Sequence, residues 1–580
     1  MKKIYLLIAT VCTLALSSCA GFLDQDNRSD VSSESFYATA TGFESLTNAM
    51  YSTIRTLYNN QPVLFVGGSD LYGDGKSESV VYTYFTFTPD DSGVLKFYQN
   101  CFKGIQMCNS VIHYGETTED NAKRLQYIDE ARFVRAWYYF QLVQQFGGVE
   151  INKEMFNSAV MSHPRNTLGE CYEFIISELT DLVGANSHLL ATSNVGRANK
   201  QAANFFLAKA YLTRGWLNGQ GYEVQEENIA QATDFADAEK YAKAAINGVT
   251  PSKSIEEVFD IANENDPEFF WSCCFDYKAV ENPSSDGSYQ MCQFGAYLGG
   301  SERANNKAMD GNFSPLLHMH QQFDKGDGRY EQTFMFEFYE DDKTANGLNY
   351  FAYYNAPTTK KIRYYYTPWW ATEDDVNAWL ADDPNGIKDE VEYISYTIAD
   401  GGIAPSNGQP ETFKNRRHMD VGVPCIKKFD DYTATSMANR SSTCSMHDVS
   451  LARLGEAYLI AAEAAMKQGH NGDAADYINT LRKRPGTVKA GFEAAMTVSA
   501  NDINVDFILK ERCCELAGEY VRWTDIKRMQ VLVDYVSKYQ EDEIDLNNLK
   551  GTDGKYKILR PIPQNAIDLN QAEITQNPGF

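Results

Sequence analysis

The sequence predicts a mainly α-helical chain, a helical scaffold interrupted by one long, loop-rich insertion. Three observations predict it. Over about 97–248 and again over about 446–535, apolar side chains recur at three- and four-residue steps, the period of helices with one buried face. In those stretches small alanines interleave with large aromatics, which closely packed helix pairs need to seat their knobs. Between them, about 249–445 is broken by Gly, Asn, Asp, Ser and Pro and supports no long helix. Roughly 200 irregular residues do not make one linker in a compact protein, so this stretch is expected to form a subdomain on the helical frame. With 580 residues, 43% of them apolar, and a mean hydropathy of −0.43, the chain reads as soluble with ample core material.

The first residues stand apart. Lys2 and Lys3 precede thirteen uncharged residues, Ile4 to Leu16. That run is shorter than the about 20 residues a bilayer span needs. A positive start, an apolar middle and a small-residue end fit an export signal that is removed and plays no part in folding. Leu16-Ser17-Ser18-Cys19 resembles the lipobox of bacterial lipoproteins. The likeness implies that 1–18 is a signal peptide and that Cys19 is acylated and becomes the first residue of a single domain, 19–580. Several acyl chains exceed the marginal anchoring of one, so a membrane-anchored protein that folds in water is expected. Net charge is −26, and −28 once Lys2 and Lys3 leave. Such a surface repels nucleic acid, which is not expected as a partner. Besides Cys12 and Cys19, ten scattered cysteines form no C-x2-C pair and read mostly as buried thiols.

In the first helical block, EARFVRAWYYFQLVQQFGG sets Phe133, Ala136, Trp137, Phe140 and Val143 on one stripe, and Gly147-Gly148 supply a left-handed stop. NTLGECYEFIISELTDL starts at a cap, Asn166 or Thr167, and KQAANFFLAKAYLTRGW and DAEKYAKAAI follow. In the second block, Leu451-x2-Leu454-Gly455-x2-Tyr458 matches most of the tetratricopeptide first-helix signature, with Leu in place of Trp. DAADYINTLR arrives later than a strict 34-residue period allows, so any repeats are degenerate.

CAGFLD, EARFVRAWYYFQLVQQFGGVEI, LARLGEAYLIAAEAAMKQG, ERCCELAGEYVRWTDIKR, LRPIP and QNPGF occur in that order. Together they resemble the SusD/RagB family of outer-membrane nutrient-uptake lipoproteins from Cys19 to Phe580. One departure is Val149-Glu150, where the family usually has proline after FGGV; it is expected to alter a local turn and little else. The resemblance implies a SusD-like domain of four tetratricopeptide-like helix pairs with a variable, loop-rich ligand-binding face, closed by a docking tail over 536–580. It also implies a lipid-anchored protein exposed on the outer membrane, which binds oligosaccharide and delivers it to a SusC-like TonB-dependent transporter without catalysis. Peptide or another nutrient as cargo is the alternative, and a surface glycoside hydrolase a poorer one.

The residues favour binding over catalysis. H-E-x-x-H, G-x-S-x-G, Walker and Rossmann motifs are absent, and 78 acidic residues make any carboxylate pair uninformative. His318 and His320 are expected to be surface histidines rather than metal ligands approaching from one strand. No cofactor is expected, with loop-bound calcium left open. Glu511, Arg512, Glu515, Glu519 and Arg522, like Glu130, Arg132 and Arg135, are expected to form structural ion pairs.

A neutral sugar presents an apolar C–H face and a rim of hydroxyls, so its receptor needs flat aromatic side chains flanked by Asp, Asn or Arg. GGSDLYGDG and VVYTYFTF offer Asp70, Tyr72, Tyr82 and Tyr84, with Asp74 beside them. NYFAYYNAPTTKKIRYYYTPWW offers Arg363, Trp369 and Trp370, with Tyr350, Tyr353, Tyr354 and Tyr365 around them. These are the candidate glycan-binding residues. VYTYFTF also reads as a strand that buries alternate side chains. Two adjacent tryptophans after a proline cannot easily share one buried side, so at least one is expected to be partly exposed.

Overall fold

The fold was obtained as a computed structural model that describes residues 33–58, 63–75, 88–158, 160–193, 196–219, 228–275, 287–294, 313–340, 348–350, 352–355, 358–394, 417, 422–432, 445–540 and 548–580. α1 (Ala40–Tyr58) buries Phe43, Leu46, Met50, Ile54 and Leu57 at helical steps; its interspersed Thr, Ser and Asn hide that stripe from a reading of the sequence. β1 (Tyr72–Gly73) follows, then α2 (Ser92–Thr117), whose first turn is capped by the Asp91 carboxylate accepting from Gly93 and Val94. α3 (Arg124–Phe146), α4 (Leu168–Val183), α5 (Lys200–Trp216) and α6 (Asp234–Ile246) complete the first block, each packed against the next.

α3 is buried almost all round rather than on one stripe, because α1, α2, α4 and α5 all contact it. Gly147 ends α3 in the left-handed region at φ 73°. Gly148 does not share that conformation; a Cβ there would stand 2.2 Å from the Asn166 carbonyl oxygen. Thr167, not Asn166, caps α4 through a reciprocal capping box with Glu170.

The insertion holds more regular structure than its composition suggests. β2 (Phe269–Cys273) is its first strand, and β3 (Ser314–Pro315) pairs antiparallel with β1. β4 (Phe334–Met335), β5 (Glu337–Glu340), β6 (Leu348–Asn349), β7 (Ile362–Tyr366), α7 (Glu373–Ala381) and β8 (Glu392–Ile394) come next. Four of these strands form one sheet in the order β6-β5-β7-β8, with β7 and β8 parallel. β9 (Cys425–Ile426) pairs with β4, and β10 (Val449–Arg453) pairs with β2. Each strand is too short to show period-two alternation, so the sheet is invisible to pattern reading.

The helical frame resumes with α8 (Leu454–Lys467), α9 (Asn471–Arg482), α10 (Val505–Leu516), α11 (Arg522–Arg528) and α12 (Leu532–Tyr539). α8 packs on α6 as well as on α9 and α10, so the chain leaves and rejoins the frame at neighbouring helices. α9 follows α8 after three residues, and the pair contacts closely. The closing segment is fixed to the frame: Arg560 donates to the Gly67 carbonyl at 2.7 Å and lies 4.0 Å from the Trp523 ring centroid, while Asn577 Nδ2 donates to Phe146 O at 2.9 Å.

Charges are stitched into this core. Arg329, Arg453, Arg482, Arg484 and Lys428 interlock with Glu268, Asp327, Glu511, Glu515 and Glu519 in one connected, nearly solvent-free network of balanced charge. Arg512 and Arg528 bridge Glu456, Asp525 and Glu463 beside it. Gly455 makes the first network possible. A Cβ there would fall 2.1 Å from Arg453 Nη1 and 2.4 Å from Glu515 Oε1. Glu130 pairs with Arg197 at 2.9 Å, and Arg132 and Arg135 both reach Glu178. These groups link helices, as expected from the sequence. Cys101, Cys108, Cys171, Cys273, Cys513 and Cys514 are buried and Cys274 is half-buried. Among the described residues no helix is long and apolar enough to cross a membrane.

Candidate functional site

β7 positions the aromatic face of the insertion. It leaves Arg363 exposed and buries Tyr365 and Tyr366, and the turn at Pro368 then delivers Trp369 and Trp370 to the edge of the subdomain. Both tryptophans are half-buried, with ring centroids 5.7 Å apart at 81°. Trp369 Nε1 donates to the Phe323 carbonyl at 2.9 Å, which fixes its ring. Trp370 leans on buried Tyr330 at 4.8 Å and has the Lys489 ammonium 5.5 Å from its centroid. That ammonium also bonds Glu331 at 2.5 Å, which sets a charged pair beside Trp370. Fixed half-exposed rings with a charged rim can stack on the apolar face of a neutral ligand and hydrogen-bond its edge.

Trp379 is a different kind of ring. Tyr365 stacks on it at 3.7 Å and Lys388 Nζ sits 3.9 Å from its centroid. Groups that close cannot share one face, so both faces of Trp379 are covered. Arg363 stands 5.8 Å from the Tyr364 ring centroid.

Asp70 and Tyr72 do not join this face. Asp70 is fully buried, held by Arg522 through 2.8 and 2.6 Å bonds and with His318 Nε2 at 3.5 Å. Burial alone would oppose its ionisation, but Arg522 overcomes that and holds the carboxyl well below the usual range. Tyr72 is also buried; its hydroxyl accepts from the Gly518 N–H at 2.8 Å. Their burial corrects the expectation of a sugar-reading pair: both lock β1 to the frame. Asp74 is buried as well, and its carbonyl accepts from Arg417 at 2.6 Å. Tyr82 and Tyr84 lie outside the described residues. Asp70→Ala is expected to destabilise the protein by about 3–5 kcal/mol, because it strips Arg522 of its buried counter-ion. Denaturant titration reads that loss; a change under about 1 kcal/mol counts against the locking role.

Tyr350 and Tyr354 donate to Asp430 at 2.5 and 2.8 Å, and Lys427 bonds Tyr353 at 2.8 Å, so these tyrosines knit the insertion together. His318 and His320 are not surface residues on a strand. They sit on a one-turn helix, with His320 wedged against Tyr330 and Phe334 and its pKa lowered by burial to about 3. His318 instead stacks on Tyr539 at 3.5 Å, with Tyr535 edge-on to both. This half-buried aromatic patch escaped sequence reading, although Tyr535 and Tyr539 stand four apart in α12. Among the described residues no group of three or more His, Cys, Asp or Glu is arranged to hold a metal.

The helical frame thus carries an aromatic face on a sheet-bearing insertion. A family model described as "SusD family" matches residues 213–580, and one described as "Starch-binding associating with outer membrane" matches 21–212. The chain belongs to the SusD family. It is 23% identical to SusD-like protein P2 of Formosa agariphila over the full length of both chains. It is 25% identical to the starch-binding protein SusD of Bacteroides thetaiotaomicron over 79% of this chain and 74% of that one. A SusD-like protein of Bacteroides ovatus is 28% identical over 46% of this chain and 49% of that one. Among solved structures, a SusD homolog from Bacteroides thetaiotaomicron superposes with a TM-score of 0.65 at 18% identity, covering 96% of this chain and all of the other. A laminarin-binding SusD-like protein gives 0.62 at 18% identity over 93% of this chain and all of the other. At those identities the structures speak for the fold, which they share with this mainly helical chain.

Proposed function

We propose that the protein captures oligosaccharide at the bacterial surface and passes it to a SusC-like TonB-dependent transporter in the outer membrane, without catalysis. The observation that carries the site is the Trp369–Trp370 pair, half-exposed and fixed from behind by Phe323 and Tyr330. Family membership supports the cargo class: one relative is described as starch-binding, and proteins of similar fold have been solved with laminarihexaose and with xylogluco-oligosaccharide. The description matched by 21–212 supports association with the outer membrane, and the lipobox at Cys19, outside the described residues, supports a lipid anchor. Core carboxylates are tied to guanidinium groups, which suits a scaffold better than acid–base chemistry.

Calorimetric titration with laminarihexaose, a malto-oligosaccharide, a xylogluco-oligosaccharide and matched oligopeptides tests the cargo. Binding of at least one glycan and no peptide is expected. Binding of peptides alone overturns the glycan reading, and shortened sugars after incubation overturn the absence of catalysis.

A further inference from the structure

A cavity of about 360 Å³ opens between α2, the residues Glu150, Asn152, Val160 and His163, and the short helix Gln564–Leu569, on other elements than the aromatic face. That volume is at the lower end for small-molecule sites, which run roughly 300–1,000 Å³. Its wall places Glu150 beside Tyr98 and Phe102, whose rings lie 4.8 Å apart, with the side chains of Asn565 and Asn570 opposite in the chain's closing segment. Glu150 is only 8% exposed, and its Oε2 accepts from Tyr98 Oη at 2.5 Å. Among the described residues no lysine, arginine or histidine lies within ion-pairing distance of it. Arg165, whose charge is felt at Tyr98, is bonded to the Phe146 and Gly148 carbonyls at 2.7 and 2.6 Å.

Glu150 thus turns a carboxylate towards the cavity with one phenol as its protein hydrogen-bond donor and no counter-ion among the described residues, an arrangement that a cation in the cavity would complete. Aromatic rings beside it add attraction for a cation through their quadrupoles.

We propose that this cavity binds a compact organic cation, a primary ammonium on a small hydroxylated or apolar body, with Glu150 as counter-ion and Tyr98 and Phe102 as its walls. The site is separate from the tryptophan face and independent of the oligosaccharide reading. Glucosamine, with glucose as the neutral probe of similar size, tests it by calorimetry on the full mature chain. Glucosamine is expected to bind at least tenfold more tightly than glucose. Glu150→Gln keeps an acceptor for Tyr98 and is expected to cost glucosamine at least tenfold in affinity. Leu569→Trp, at a residue 61% exposed on the cavity wall, is expected to block binding without touching the fold. Trp369→Ala should leave glucosamine binding unchanged. Equal affinity for the two sugars, no glucosamine binding, or unchanged affinity in both Glu150→Gln and Leu569→Trp overturns the proposal.

Discussion

Glu515→Gln is expected to lower the stability of the protein by about 3–5 kcal/mol, more than any surface substitution, because it leaves buried guanidinium groups without a full set of counter-ions. Glu515 faces Arg453 at 2.8 Å, Arg329 at 3.2 Å and Arg484 at 3.6 Å, and all four side chains are essentially inaccessible. The wild-type network matches five cations with five carboxylates; the variant leaves five against four. Urea titration at pH 7 reads the difference. Lys361→Ala, which removes a partly exposed pair with Asp389, is the comparison and should shift stability by no more than about 0.5 kcal/mol. A Glu515→Gln cost as small as that of Lys361→Ala would mean that water reaches the network.

The same charges set the acid limit. Burial by itself would raise the pKa of Glu511, but Arg329 and Arg482 bring it down to about 2. Glu456 is likewise lowered to about 2, where Lys209 and Arg512 outweigh burial. A carboxylate whose folded pKa lies below its unfolded value contributes stability that is fully present above the unfolded value, here 4.5. That contribution is lost as pH falls from 4.5 towards 2. Cooperative acid unfolding is therefore expected inside that window.

The helical frame was legible because long amphipathic segments repeat one signal many times, as α4 and α5 do; the charged motif after Ile508 announced that it would form ion pairs but not its partners, which lie elsewhere in the chain, as Arg453 does for Glu515 and Asp70 for Arg522. What stayed hidden has a common cause. β3 and β9 are two residues each and exist through partners distant in sequence, which no local pattern encodes. Asp70 and Tyr72 carry the side chains a sugar site needs, but only tertiary contact with Arg522 and Gly518 shows that they face inward. Aromatic content predicts a ring and not which of its faces is covered. Trp379, with both faces covered, differs from half-buried Trp369 in that respect.

That difference yields the most direct test of the binding face. Trp369→Ala and Trp370→Ala are each expected to weaken oligosaccharide binding by tenfold or more, a loss of about 1.4–2 kcal/mol typical of a stacked aromatic anchor. Trp370→Ala also removes a ring from Tyr330 and should cost some stability, so affinity is compared at a temperature where circular dichroism shows every variant folded. Trp379→Ala is the decisive control. Its ring already lies between Tyr365 and Lys388 and has no open face for a sugar, so its loss should lower the melting temperature and leave affinity unchanged. Arg363→Ala, exposed on β7, should reduce affinity by a smaller factor with no effect on melting. If Trp379→Ala weakens binding while the Trp369 and Trp370 variants do not, the ligand engages the other side of the sheet and the platform is misplaced.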